Sequence, residues 1–372
     1  MNGSATFSES TLKLVSMESD PRSPENGEGA SEVKQRSVKR RISSVVATLG
    51  VIALCLGALI SPGVSTTEVK LNDGGVWVTN SKLRLVAHLN YPSRTLDSAL
   101  RAGSDLFDVT QNGEEIFVKD AVAASLTPVD VAHTTLETPA DFSGYSTIVN
   151  GGIVAIINEA RDTVWALPSS SYTGFNPDEL EPAVENMPGA VVAVGQEGSL
   201  HVASAKEATV TSVVPKGQTQ DVITRDLEGV TEESVLQVAA VGDQAVVLDQ
   251  TTGTLYFGKK EIQKLEGKLT LQESGPANDE IILVSPQELL AVPLEGGDPR
   301  VTSNGVDSGE PVPSRPVMHR GCAYGAWAGS GAFVRDCVED ADDVVMAVET
   351  LQTAEKVVFR TNRDVIVLND VN

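Results

Sequence analysis

Ser146 to Pro168 reads STIVNGGIVAIINEARDTVWALP, and this stretch decides the fold. Short runs of Val, Ile, Leu and Ala, too short for helices, stand on either side of Asn150-Gly151-Gly152. A third run follows the next polar interruption. Asn-Gly supplies the left-handed backbone that a two-residue hairpin turn needs, so the stretch predicts antiparallel strands joined by tight turns. The same plan recurs in LFDVTQNGEEIFVKDAVAASLTPVD (106–130) and VGDQAVVLDQTTGTLYFGKKEI (241–262). Outward from these, turn signals fall at Asp73-Gly74-Gly75, Asn112-Gly113-Glu114, Asn150-Gly151-Gly152, Gln196-Glu197-Gly198, Gly242-Asp243-Gln244, Asn278-Asp279-Glu280, Gly329-Ser330-Gly331 and Asn362-Arg363-Asp364. Their mean spacing of about 41 residues matches a four-stranded propeller blade, whereas an immunoglobulin-like sandwich takes about 100. The expected fold is therefore all-β, a β-propeller of seven blades. Val76-Trp77-Val78-Thr79 would close the ring against Val365-Ile366-Val367-Leu368, which removes open sheet edges. Six or eight blades stay open, because residues 205–235 and 295–316 are degenerate.

The N-terminal part reads differently. Residues 1–41 are rich in Ser, Glu and Pro with no apolar period, the composition of a disordered tail. Ile42 to Ile60, ISSVVATLGVIALCLGALI, carries no charge and would span about 28 Å as a helix, close to a bilayer core. Lys34, Arg36, Lys39, Arg40 and Arg41 precede it and no charge follows before Glu68, so the positive-inside bias puts the tail in the cytoplasm and the rest outside. The length of the apolar run and the lack of an A-x-A site argue against a cleaved signal peptide. The expected layout is a tail over 1–41, a transmembrane helix over 42–60, a linker over 61–67 and an extracytoplasmic propeller over 68–372.

Charge follows this layout. Residues 1–41 hold seven Lys/Arg and six Asp/Glu, so the chain's net −23 leaves −24 beyond them. Such a field repels nucleic acid and anionic headgroups, and neither is an expected partner. Of three cysteines, Cys55 lies in the apolar run as a small hydrophobe. Cys322 and Cys337 bracket CAYGAWAGSGAFVRDC, which is centred on Gly329-Ser330, so a hairpin there sets them face to face and a cross-strand disulfide is expected in an oxidising compartment. A strict two-residue turn puts the pair at a hydrogen-bonded position, less suited to a disulfide, so a bulge or longer loop is the alternative.

Leu71-Asn72-Asp73-Gly74-Gly75-Val76-Trp77-Val78-Thr79-Asn80, with Leu89-Asn90, and the closing Asn362-Arg363-Asp364-Val365-Ile366-Val367-Leu368-Asn369-Asp370 resemble the membrane-proximal region of large surface proteins of actinobacteria. The resemblance implies a basic tail, one membrane helix and a propeller-like region leading into fibronectin type III or immunoglobulin-like domains. It covers nearly the whole chain, through structural turns and strand ends, and implies no activity at particular residues. The distal domains have no counterpart before Asn372.

Motifs for chemistry are sparse. His88, His133, His201 and His319 are scattered without metal-ligand spacing and read as strand or surface residues. Ser31-Glu32-Val33-Lys34 matches S-x-x-K but lies in the tail, with no folded oxyanion site. Asp336, Glu339, Asp340, Asp342 and Asp343 form an acidic cluster without calcium-loop spacing and read as a solvated loop. Trp77, Trp165 and Trp327 fall in different repeats and read as blade packing. No catalytic, cofactor or metal residue is assigned. The function expected is a non-enzymatic, membrane-anchored envelope protein whose propeller is a platform for contacts with other envelope or surface proteins. The alternatives are a channel-sited hydrolase or quinone-dependent oxidoreductase, and an extracytoplasmic ligand sensor.

Overall fold

The computed structural model describes residues 75–371, except 218, 258, 259, 307–310 and 339–342. The expected tail, membrane helix and linker, with Lys34, Arg36, Lys39, Arg40, Arg41 and Cys55, lie outside the described residues. Among the described residues no helix is long and apolar enough to cross a membrane. Apart from two short 3-10 turns, Tyr172–Gly174 and Glu349–Gln352, every regular element among the described residues is a strand.

The strands form seven antiparallel blades. The first blade holds Phe107–Asn112, Glu115–Asp120, Ser125–Asp130, Thr135–Leu136 and Ala140–Asp141. The second has Ser146–Asn150, Ile153–Asn158 and Thr163–Pro168, and the third Val191–Val194, Leu200–Ser204, Thr209–Lys216 and Thr219–Asp226. The fourth runs Leu236–Val241, Gln244–Asp249, Thr254–Phe257 and Lys260–Lys264, and the fifth Thr270–Leu271, Glu280–Val284, Glu288–Pro293 and Arg300–Ser303. The sixth comprises Val312–Pro313, Val317–His319, Cys322–Ala328, Ala332–Cys337 and Val344–Ala347.

The seventh blade is assembled from both ends of the described chain. Val357–Asn362 and Val365–Asp370 form a pair, and Val76–Asn80, Leu85–Asn90 and Thr95–Arg101 form a three-stranded sheet beside it. The buried Asn369 amide bridges the two: its Nδ2 donates to Thr79 O at 2.9 Å, and Thr79 N donates to its Oδ1 at 2.8 Å. Asn362 Nδ2 donates to Gly75 O and Ser81 Oγ to Val371 O. A side-chain amide can take over the paired donor and acceptor of a missing backbone ladder. The ring thus closes where the sequence predicts.

Packing explains the near-continuous apolar runs. Side chains of a strand alternate in direction, and in a propeller each direction faces a neighbouring blade. Ala155 and Ile157 pack against Val194, Leu200 and Val202 of the third blade, whereas Val154 and Ile156 pack against Phe117 and Leu126 of the first. Every seam has its own buried cluster, seven seams for seven blades. A fully buried Ile or Leu in such a seam stabilises the ring by about 1.5–3 kcal/mol.

A turn signature unread in the sequence sets the strand register. Asn90, Asp120, Asn158, Ser204 and Asp249 each end a blade strand, and each pairs with a Thr or Ser five residues on: Thr95, Ser125, Thr163, Thr209 and Thr254. The first side chain accepts from backbone N–H groups inside the loop, as in Ala160 and Arg161 to Asn158 Oδ1 or Thr251 to Asp249 Oδ1. The residue before the Thr or Ser has positive φ in all five: Arg94, Ala124, Asp162, Ala208 and Gly253.

Most expected hairpins are present: Asn112 pairs with Glu115, Asn150 with Ile153, Val241 with Gln244 and Asn362 with Val365. Asp73 and Gly74 lie outside the described residues. Asn278-Asp279-Glu280 is not a tight turn but the end of a loop entering Glu280–Val284. The degenerate stretch 205–235 holds the most regular hairpin, Thr209–Lys216 against Thr219–Asp226, whose second strand is exposed and so lacks an apolar alternation.

Cys322 and Cys337 are disulfide-bonded. They face each other with Cα atoms 4.1 Å apart, the short spacing of a non-hydrogen-bonded pair. Strand pairing stops at Ala326 with Phe333, and Ser330 Oγ bonds Trp327 O and Ala332 N within the turn. The longer loop shifts the alternation by one and gives the disulfide its proper position.

Candidate functional site in the central channel

Inner strands of a propeller leave an axial space, and here it is a cavity of about 1290 Å³ lined by residues of every blade. The lining comes from Asp108–Gly113, Ile148–Asn150, Val192–Val194, Gly242, the loop 273–277, the sixth-blade stretch 312–320 and the seventh-blade stretch 355–363. Glycine permits close blade approach at one mouth. Gly151 has φ +55°, and a Cβ there would collide with the backbone of Gly195 and Gly198 in the next blade.

Charged and amide groups of the lining tie blades together. Arg360 of the seventh blade pairs with Asp108 of the first. Arg315 of the sixth reaches Glu273 at 3.3 Å and donates to the carbonyls of Val238, Leu271 and Gln272, joining three blades. Gln111 Nε2 donates to Gly75 O, its Oε1 accepts from Trp77 N, and Asn150 Nδ2 donates to Val194 O. The lining also leaves buried polar atoms without a partner among the described residues: Ser314 Oγ, His319 Nε2, Arg360 Nε and Asn362 Oδ1. All four belong to the sixth and seventh blades.

The residues singled out in the sequence are dispersed. Cys322 and Cys337 do not line the cavity. His88 is buried in its strand with Nδ1 2.7 Å from Asp97, and His133 sits on an exposed loop against Asp130. His201 is fully buried between Ser212 and Ser199, and burial pushes its imidazole down to about 4. Of the four histidines only His319 lines the channel, and Trp77 borders it as well.

Trp77, Trp165 and Trp327 are buried in the seams; Trp327 Nε1 donates to Ser285 O of the neighbouring blade. The acidic cluster is not wholly a solvated loop. Asp336 is buried, accepting from Arg300 Nε and Thr302 Oγ1, and Asp343 accepts from Cys337 N. Glu339, Asp340 and Asp342 lie outside the described residues. No group of three or more metal-ligating side chains occurs among the described residues.

The channel's ionic residues form no motif in the sequence, because Asp108 and Arg360 stand 252 positions apart. Charge along the sequence does not mark them either: residues 75–372 carry 20 Lys/Arg against 43 Asp/Glu, and the last quarter, 298–372, holds seven Lys/Arg beside 12 Asp/Glu.

No protein-family model matches the chain, and neither does any curated protein. Solved structures similar to it include virginiamycin B lyase from Staphylococcus aureus, with 9% identity over 71% of this chain and 90% of that chain and a TM-score of 0.48. Hsv2 from Kluyveromyces marxianus has 9% identity over 71% of this chain and 91% of that chain, TM-score 0.48. BamB from Moraxella catarrhalis has 12% identity over 79% and 93%, TM-score 0.46. At these values no activity or partner carries over to this chain.

Proposed function

We propose that the chain is a non-enzymatic, membrane-anchored cell-envelope protein whose extracytoplasmic propeller is a rigid platform for contacts with other envelope or surface proteins. The observation that carries this reading is the use made of the channel's charged and amide groups. Arg360, Arg315, Gln111 and Asn150 each hold one blade to another. A group fixed in such ties maintains shape, whereas acid–base catalysis asks for a side chain poised to exchange a proton with a substrate. The Cys322–Cys337 disulfide supports an oxidising compartment. The apolar run 42–60 and its basic flank support the anchor.

Protease added to right-side-out membrane vesicles tests the location: the propeller is cut and the tail is protected. In the same cells, photo-crosslinkers at the exposed turn residues Glu197 and Arg363 should trap one defined envelope protein. A propeller sheltered from external protease, or crosslinkers that trap nothing, would overturn the reading.

One observation favours a second reading, an extracytoplasmic ligand-binding protein. It is the cluster of unpartnered polar atoms on the sixth and seventh blades.

A further inference from the structure

We propose that the channel sector between the sixth and seventh blades binds a small solute carrying an oxyanion, carboxylate or phosphate, beside a hydroxyl group. The inference rests on the ligand-binding reading above and is independent of the platform and the anchor.

Buried polar groups in folded proteins nearly always have partners, and each exception asks for an explanation. Of seven unpartnered buried side-chain atoms among the described residues, four belong to residues that line this one cavity and sit just behind its surface. Ser314, His319 and Asn362 are only 6%, 9% and 4% exposed. Adjacent elements carry them. Arg320, next to His319, reaches Asp364, two residues past Asn362, at 3.6 Å. Tyr324 stands between the His319 ring and the Phe359 ring, with centroids 6.4 Å from each. Phe359 in turn precedes Arg360 on the strand that ends at Asn362.

Charge selects the ligand's sign. The cavity presents five Lys/Arg, namely Arg315, Arg320, Lys356, Arg360 and Arg363, against the carboxylates Asp108, Glu197, Glu273 and Glu355. The surrounding sequence holds more than twice as many acids as bases. All five cations lie on the sixth and seventh blades, where Glu355 is the one carboxylate of the lining. Arg315, Arg360 and Arg320 are matched by Glu273, Asp108 and Asp364, so the sector's positive excess rests on the remaining lining residues Lys356 and Arg363 against Glu355. A positive sector inside an acidic ring favours an anion. The exposed Arg363 offers charged donors to oxyanion oxygens. Ser314 Oγ, His319 Nε2 and Asn362 Oδ1, directly behind the lining, hold the mixed donors and acceptors that a hydroxyl admitted among them can satisfy.

The test is calorimetric titration of the full-length chain in detergent micelles with glucuronate, glucose 6-phosphate and glucosamine. At least one of the two anions should bind about ten-fold tighter than the cationic sugar. Which anion binds distinguishes carboxylate from phosphate. Ser314→Ala and Arg363→Ala should each weaken binding at least five-fold, about 1 kcal/mol or more. Lys206→Ala, on an exposed loop outside the cavity, should leave it unchanged. Arg363 is a surface turn residue, so its variant is expected to fold even if Ser314→Ala does not. The proposal is overturned if neither anion outcompetes glucosamine, or if Arg363→Ala binds like the unsubstituted chain.

Discussion

His201 sits between two serine hydroxyls, Ser212 at 2.9 Å from Nδ1 and Ser199 at 3.0 Å from Nε2, with no exposure to solvent. Burial disfavours its charged form, so its folded value near 4 lies below the unfolded 6.5. Between those values the unfolded chain binds the extra proton, and stability must fall as pH drops through that window. About 2 kcal/mol should be gone by pH 5, before most carboxylates titrate. Urea midpoints at pH 7 and pH 5 check this: His201→Asn should show a flatter profile than the unsubstituted chain, and equal slopes would refute the assignment. Backbone strain sets a second residue-scale outcome. Gly151→Ala places a side chain at φ +55° against the next blade's backbone and should cost about 2 kcal/mol or more in thermal or urea unfolding.

The repeated loops govern the elements. Asp249, fully buried, accepts from Ser234 Oγ, Thr252 Oγ1 and Thr251 N. Asp249→Ala strands three donors and should lower stability by about 2–4 kcal/mol, read as a shift of the urea midpoint. Asn90→Ala, on an exposed loop, should cost under about 1 kcal/mol, so the pair separates burial from loop type. The disulfide closes a loop of sequence separation 15, and its reduction should remove about 3 kcal/mol, measurable as a lower melting temperature with reductant. At this scale the sequence was legible where a turn depends on one residue's backbone, as at Gly113, Gly151 and Gly242. It was illegible where the turn depends on a side-chain acceptor with a variable identity. Asn158, Ser204 and Asp249 do the same work in different chemistry, and the positive-φ position after them is Asp162, Ala208 or Gly253. That variation concealed a repeat which would have aligned the blades directly.

For the whole molecule, the ring and its closure followed from turn spacing and from the apolar runs that two-sided burial demands. The channel did not. Its lining is drawn from short stretches of successive blades that are about 41 positions apart, so Asp108 and Arg360 meet only once the ring is closed. Likewise Asn369 reads as a strand-end polar residue, although it holds the two halves of the seventh blade together through Thr79. Asn369→Ala should therefore lower the cooperativity of unfolding of the entire propeller, not of the last strands alone. Closure by both ends is the central claim, and hydrogen exchange on the full chain compared with a chain ending at Lys356 tests it most directly. Removing Val357–Asn362 and Val365–Asp370 should abolish amide protection in Val76–Asn80 and Leu85–Asn90, some 270 residues away in sequence, and weaken the first and sixth blades. Unchanged protection of Val76–Asn80 in the shortened chain would contradict it.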